Sequence, residues 1–159
     1  MSTIISLDDL LPEERELLDA AAQAVEGAYA PYSNFYVGAA LRSHDDRIVA
    51  GSNMENANYS LTIHAEQVAL AVGHAAGIHR YSSMAIIARG AAVDTTDITA
   101  PCGSCRQSLF EASQIANADL RIILATTKRD KIVRTTISEL LPMAFGPRDL
   151  GMDLSRYRR

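Results

Sequence analysis

The sequence has no tryptophan, only two cysteines and no excess of positive charge. Two cysteines cannot form the disulfide framework of a small secreted protein. A formal net charge of −4 argues against a general nucleic-acid-binding protein, which normally carries a basic surface. No apolar run approaches the roughly 18 residues that a membrane span needs, and the first residues lack the basic and apolar regions of a signal peptide. We therefore expect a protein of the reducing cytoplasm.

The composition favours a single domain over residues 1–159. Hydrophobic residues make up 48% of the chain and charged residues 21%, which suffices for a core without disulfides. Helical periodicity is predicted from residue 12 towards 31, from about 63 to 76, from 101 onward and over 137–141. Strands are predicted at residues 36–41, 47–51, 84–88, 120–125 and 131–134. The first two strands would form a hairpin and the last would be an edge strand.

This alternation of strands and helices predicts a three-layer α/β/α fold. The hairpin makes the sheet mixed rather than wholly parallel, and we expect about five strands in it.

Three residues, His64, Cys102 and Cys105, have the side-chain types of zinc ligands. A separation of two residues places the two thiols about 60° apart on one face of a helical turn. Both follow Pro101 at a predicted helix start, where the positive end of the helix dipole favours thiolates. Three protein ligands leave the fourth tetrahedral position open to water, as a catalytic zinc requires.

Glu66 lies two positions after His64. Within a helix this spacing would point the two side chains about 200° apart, so the pair can share an ion only at a helix start. A lone CxxC is also typical of redox and structural zinc sites. Together, however, His64-Ala65-Glu66 and the segment from Pro101 to Cys105 match the signature of zinc deaminases.

Five segments resemble motifs of the cytidine deaminase family, in the order and with the separations found in that family. They are residues 32–40, 53–57, 64–66, 101–107 and 141–147. The resemblance covers about residues 12–150 and leaves a tail at 151–159. We expect the arginine-rich end of this tail, residues 155–159, to be a solvated terminus and not an RNA-binding arm.

The resemblance implies zinc-dependent hydrolytic deamination of cytidine and deoxycytidine to uridine and deoxyuridine, with release of ammonia, in pyrimidine salvage. It implies that His64, Cys102 and Cys105 bind Zn²⁺. It also implies that Glu66 takes a proton from the zinc-bound water and delivers it to the pyrimidine and then to the departing amino group.

The family also implies a set of substrate-binding residues, namely Phe35, Asn53, Glu55, Ala65, Tyr59 and Phe145. Phe145, and less directly Tyr59, would act across an interface in a homotetramer with shared active sites. Four of these assignments have a structural alternative. Asn53 and Glu55 would then only cap a loop, Phe35 would pack in the core, and Phe145 would be a buried C-terminal anchor.

Other functions are compatible with parts of this pattern. One is a deaminase of a modified cytosine nucleoside or a nucleoside antibiotic. A second is a polynucleotide editor, which the acidic charge and the 6% aromatic content disfavour. A third is a non-enzymatic protein with structural zinc, which a fourth protein ligand would identify.

Two departures from the family pattern concern His64 and Asn58. Many short-chain members have cysteine at the position of His64 and arginine at that of Gln67. One histidine and two thiolates leave a zinc site with no net charge, so the neutral Gln67 is consistent with His64 and resembles the larger dimeric members.

Asn58 borders the proposed substrate loop, where it either caps a turn or affects the choice of pyrimidine substituents; we favour the turn.

Overall fold

The computed structural model describes residues 2–91 and 95–158. Its strands are β1 (Thr3–Ile5), β2 (Tyr36–Ser43), β3 (Ile48–Ser52), β4 (Tyr81–Arg89), β5 (Arg121–Ala125) and β6 (Ile132–Thr136). Its α-helices are α1 (Pro12–Val25), α2 (Ala65–Ala75), α3 (Gly103–Ala116) and α4 (Ile137–Leu140). The strands form one sheet in the order β1-β6-β5-β4-β2-β3. Within it β4 and β5 are parallel, and the other neighbours are antiparallel.

Helices cover both faces of the sheet, as the predicted three-layer fold requires. Alternate residues of β4 point to opposite faces. Met84 and Ile86 join the core beneath α2 and α3, whereas Ala85 and Ile87 join the core beneath α1. Because β4 is apolar on both faces, it reads in the sequence as a continuous hydrophobic run.

Over residues 2–91 and 95–158 the sheet has six strands, one more than expected. The additional strand, β1, pairs antiparallel with β6. Consequently β6 lies between β1 and β5, and the prediction of an edge strand at residues 131–134 was wrong. A strand of three residues is too short to show the alternating polarity that identifies a strand in a sequence.

The C-terminal tail is only partly solvated. Arg156 is exposed, but Leu154 is buried, and the Arg158 Nε donates to the carbonyl oxygen of Ile115 at 3.0 Å. The expected solvated tail is therefore wrong for Arg158, which binds to the end of α3. Arg159 lies outside the described residues.

Gly51 in β3 determines how closely α2 approaches the sheet. A Cβ at this position would lie 2.5 Å from the backbone nitrogen of Ala69 and 2.9 Å from the carbonyl oxygen of Ala65. Both contacts are with the α2 backbone, so a side chain at residue 51 would push α2 away from the sheet.

Helix length and composition also bear on membrane association. Within the described part of the chain, none of the helices is both long and apolar enough to cross a membrane.

Candidate active site

The starts of α2 and α3 bring the predicted zinc ligands together. His64 immediately precedes α2, and Cys102 immediately precedes α3, each with an extended backbone. Cys105 lies in the first turn of α3. The Nδ1 of His64 is 3.4 Å from the Sγ of Cys102 and 3.3 Å from the Sγ of Cys105. The fold thus joins ligands from two segments that are far apart in the chain.

The donor set fits a zinc ion. The ligand atoms of His64, Cys102 and Cys105 all lie within 4.8 Å of one another, and no fourth protein ligand joins them among residues 2–91 and 95–158. Burial raises the pKa of the Cys105 thiol, and the nearby Glu66 carboxylate raises it further. A cation among these atoms would offset both effects and stabilise the thiolate. One imidazole nitrogen and two sulfurs are ligands that zinc prefers.

Glu66 lies in the first turn of α2 and is only 5% exposed. Glu66 and His64 therefore lie together at a helix start. Their spacing of two residues requires this position if both side chains are to share one ion. Glu66, His64 and Cys102 all line a cavity of about 280 Å³. Two of the candidate metal ligands and the carboxylate thus face the same cavity.

Four of the predicted substrate contacts line this cavity, namely Phe35, Asn53, Glu55 and Ala65. Sequence reasoning missed Thr62 and Thr99, whose side chains also line it. Thr62 lies two residues before His64 and Thr99 two residues before Pro101, so proximity to the zinc motifs is the signal that could have identified them.

The side chain of Asn53 forms two hydrogen bonds with the backbone at the start of β2. Its Oδ1 accepts from the backbone nitrogen of Val37 at 2.8 Å, and its Nδ2 donates to the carbonyl oxygen of Phe35 at 2.9 Å. These bonds reach residues 16 and 18 positions earlier in the chain, so they are not the local bonds of a loop cap. One hydrogen of Nδ2 and one lone pair of Oδ1 remain for a further partner.

Glu55 organises the turn that precedes Phe35. Its carboxylate accepts from the backbone nitrogen of Tyr32 at 2.8 Å and from the hydroxyl of Ser33 at 2.5 Å. The hydrogen bond from Ser33 lowers the pKa of Glu55. Glu55 therefore faces the cavity as an ionised acceptor at neutral pH.

Two predicted substrate contacts, Tyr59 and Phe145, do not line the cavity of their own chain. Tyr59 is 73% exposed, and its ring makes an edge contact with the ring of Tyr32 at a centroid distance of 5.7 Å. Phe145 is 62% exposed, which excludes the buried C-terminal anchor. Its carbonyl oxygen accepts from the Nε2 of Gln107 at 2.9 Å, and its side chain lines a second cavity of about 520 Å³ beside α3.

The turn interpretation of Asn58 is confirmed. Its Oδ1 accepts from the backbone nitrogen of Ser60 at 3.3 Å and from the Ser60 hydroxyl at 2.7 Å. These bonds cap a short 3₁₀ turn, residues Tyr59–Leu61.

Asn53→Ala is expected to lower the free energy of unfolding by about 1 kcal/mol, because the backbone groups of Val37 and Phe35 each lose a partner. Chemical denaturation of the variant measures this loss. Asn56→Ala is the matched control, since the Oδ1 of Asn56 accepts only from the backbone nitrogen of Asn58 within an exposed turn. Equal stability of the two variants would show that the hydrogen bonds of the Asn53 side chain do not stabilise the fold.

Comparisons with known proteins agree on one family. A family model described as the cytidine and deoxycytidylate deaminase zinc-binding region matches residues 12–118. A cytidine deaminase of Halalkalibacterium halodurans is 41% identical over 138 residues, which are 87% of this chain and 98% of that protein. A second, from Sporosarcina psychrophila, is 38% identical over 135 residues, which are 85% of this chain and 93% of the relative. The crystal structure of a cytidine deaminase from Burkholderia pseudomallei matches with a TM-score of 0.72 and 39% identity, over 82% of this chain and 97% of that one.

Proposed function

The chain belongs to the cytidine deaminase family, and on that premise we propose that it deaminates cytidine and deoxycytidine to uridine and deoxyuridine, releasing ammonia in pyrimidine salvage. The observation that carries this proposal is that three zinc-type ligands, His64, Cys102 and Cys105, lie together, and that two of them, His64 and Cys102, line one cavity with the buried carboxylate of Glu66. A site of three protein ligands has room for water, which a hydrolytic reaction needs.

His64, Cys102 and Cys105 would hold the zinc ion. Bound zinc would supply the Lewis acidity that makes hydroxide available at neutral pH. A carboxylate oxygen of Glu66 takes the proton of the attacking water and passes it to N3 of the pyrimidine. The water oxygen bonds to C4 as N3 is protonated. Glu66 then takes the remaining proton of that hydroxyl and delivers it to the amino group, the C4–N bond breaks to release ammonia, and the C4 oxygen becomes the carbonyl of the product. One carboxylate thus serves first as base and then as acid.

The cavity walls supply contacts for the nucleoside. Phe35 would pack against the pyrimidine face, and Ala65 would line the same part of the site. Glu55 would accept a hydrogen bond from a sugar hydroxyl, because its carboxylate is ionised. The unused hydrogen and lone pair of the Asn53 amide would bind a second hydroxyl.

We propose that copies of the chain assemble into a homotetramer and complete one another's sites. Large apolar side chains are exposed on the segments that flank the cavity, namely Tyr29, Tyr32, Met54, Tyr59, Leu61 and Ile63. A cluster of this kind is typical of a protein interface. Phe145 is exposed and does not line the active-site cavity of its own chain. We therefore propose that its side chain enters the site of a neighbouring copy.

We also propose that the whole chain acts as one deaminase domain in the cytoplasm. Both cysteines are free, and a site built on two thiolates is best preserved in a reducing compartment.

The direct test is ultraviolet absorbance of the zinc-loaded protein with cytidine and deoxycytidine, together with an ammonia assay. We expect the cytidine spectrum to be replaced by that of uridine, with one ammonia per nucleoside. Zinc-loaded protein that leaves both nucleosides unchanged would refute the proposed substrate. Turnover of N4-substituted cytosine nucleosides in that case would support the alternative, a deaminase of modified nucleosides.

Phe145→Ala is expected to raise KM for cytidine roughly tenfold, the effect of losing one aromatic stacking partner. The melting temperature should change little because the side chain is exposed within its own chain, so its loss leaves no gap in that chain's core. Steady-state kinetics and thermal melting measure the two effects.

Mixed assemblies test whether Phe145 acts on a neighbour. Subunits carrying Phe145→Ala, reassembled with subunits carrying Glu66→Ala, would contain sites with an intact Glu66 from one chain and an intact Phe145 from another. We expect these mixtures to regain the low KM of the original protein. A KM that stays high in the mixtures would contradict a shared site.

A further inference from the structure

A hydrogen bond joins the two helices that carry the zinc ligands. The Nε2 of Gln67, in the first turn of α2, donates to the Oγ of Ser104 at 3.2 Å. Ser104 is the second residue of α3 and lies between Cys102 and Cys105 in the sequence. The bond therefore runs directly between the two ligand-bearing helix starts.

The same amide also contacts the third ligand. The backbone nitrogen of His64 donates to the Oε1 of Gln67 across a long hydrogen bond of 3.5 Å. One side chain thus connects the backbone of His64 to the residue between the two cysteines. We propose that Gln67 and Ser104 form a neutral clamp that positions the ligand set before zinc binds and so sets the affinity for zinc.

Each side of this clamp is fixed separately to the rest of the fold. On the α3 side, the Nε of Arg106 donates to the carbonyl oxygen of Pro101 at 2.8 Å, and its Nη1 donates to that of Leu140 at 2.9 Å. On the α2 side, the close approach at Gly51 holds the helix on the sheet. The clamp joins two anchored halves, so it controls their separation and not their internal structure.

The clamp carries no charge, which distinguishes its effect from an electrostatic one. Removing the amide or the hydroxyl leaves two thiol ligands and one imidazole unchanged. The expected consequence is a looser arrangement of the ligands, and loss of a partner that orients metal ligands typically costs 10–100-fold in metal affinity.

The test measures zinc release from the zinc-loaded protein to a competing chelator. We expect Ser104→Ala and Gln67→Ala each to weaken zinc binding by roughly tenfold. Because both changes break the same bond between Gln67 and Ser104, the double variant should bind zinc no more weakly than the weaker-binding single variant. Ser104→Thr keeps the hydroxyl and should restore the affinity to within about twofold of the original.

Ser108→Ala is the matched control. Ser108 lies one turn further along α3, and its hydroxyl donates only to the carbonyl oxygen of Ser104 within the helix. Its loss should leave zinc affinity unchanged. Equal affinities in the Ser104→Ala and Ser108→Ala variants, or additive losses in the double variant, would overturn the clamp.

This inference rests on the zinc site of the proposed function and not on turnover of a nucleoside. Failure of the original protein to retain zinc would refute the proposed function. Equal zinc affinity in the original protein and the Ser104→Ala variant would refute the clamp alone.

Discussion

Glu66→Ala is expected to reduce kcat for cytidine by about 10⁴-fold, the upper range for loss of a general acid–base group. Glu66 is a buried carboxylate that lines the cavity together with His64 and Cys102, and the proposed reaction uses it for more than one proton transfer. Zinc content should remain unchanged because Glu66 is not one of the three ligands. Steady-state kinetics beside metal analysis would measure both quantities.

Two further variants separate the loss of the proton carrier from other effects. Glu66→Gln keeps the shape of the side chain but cannot accept the proton, so it should be as inactive as the alanine variant. Glu13→Ala removes an exposed glutamate from the first turn of α1 and should leave kcat unchanged. Substantial activity of zinc-loaded Glu66→Gln would show that another group carries the proton.

Gly51→Ala is expected to lower the free energy of unfolding by about 3 kcal/mol and to weaken zinc binding. The added methyl group would meet backbone atoms of Ala69 and Ala65, which cannot rotate away as a side chain can. The helix must move instead, and it carries His64 at its start. Denaturation curves and chelator competition would detect the two effects.

Gly103→Ala provides a comparison at a second glycine. A Cβ at Gly103 would have nothing within 4 Å, and alanine is the better helix former. We expect this variant to be at least as stable as the original protein. Equal stability of Gly51→Ala and Gly103→Ala would show that the packing of α2 against β3 does not depend on the absence of a side chain at residue 51.

The layers of the fold were predictable because their signals are local. Runs such as that of β4 are apolar throughout, and α1 begins at Pro12 with glutamates in its first turn, so each element can be recognised from its own residues. β1 could not be found in this way. Its three residues become a strand only through pairing with β6, a contact that no short stretch of sequence contains.

The features of the candidate site also fall into two groups, those that local sequence signals identify and those that depend on packing. Residue type and spacing identified His64, Cys102 and Cys105, and the structure brings their ligand atoms together. The hydrogen bonds of Asn53 to β2 and of Gln67 to α3 join segments that are distant in the sequence. Their partners depend on how the helices and strands pack, so the sequence alone could not reveal them.

The pairing of β1 with β6 has a consequence for how the chain is made in the cell. Thr3 pairs with Arg134, so β1 is synthesised well before the strand with which it pairs. At ordinary synthesis rates this delay is on the order of 10 s. β1 can therefore join the sheet only after the rest of the sheet has been synthesised.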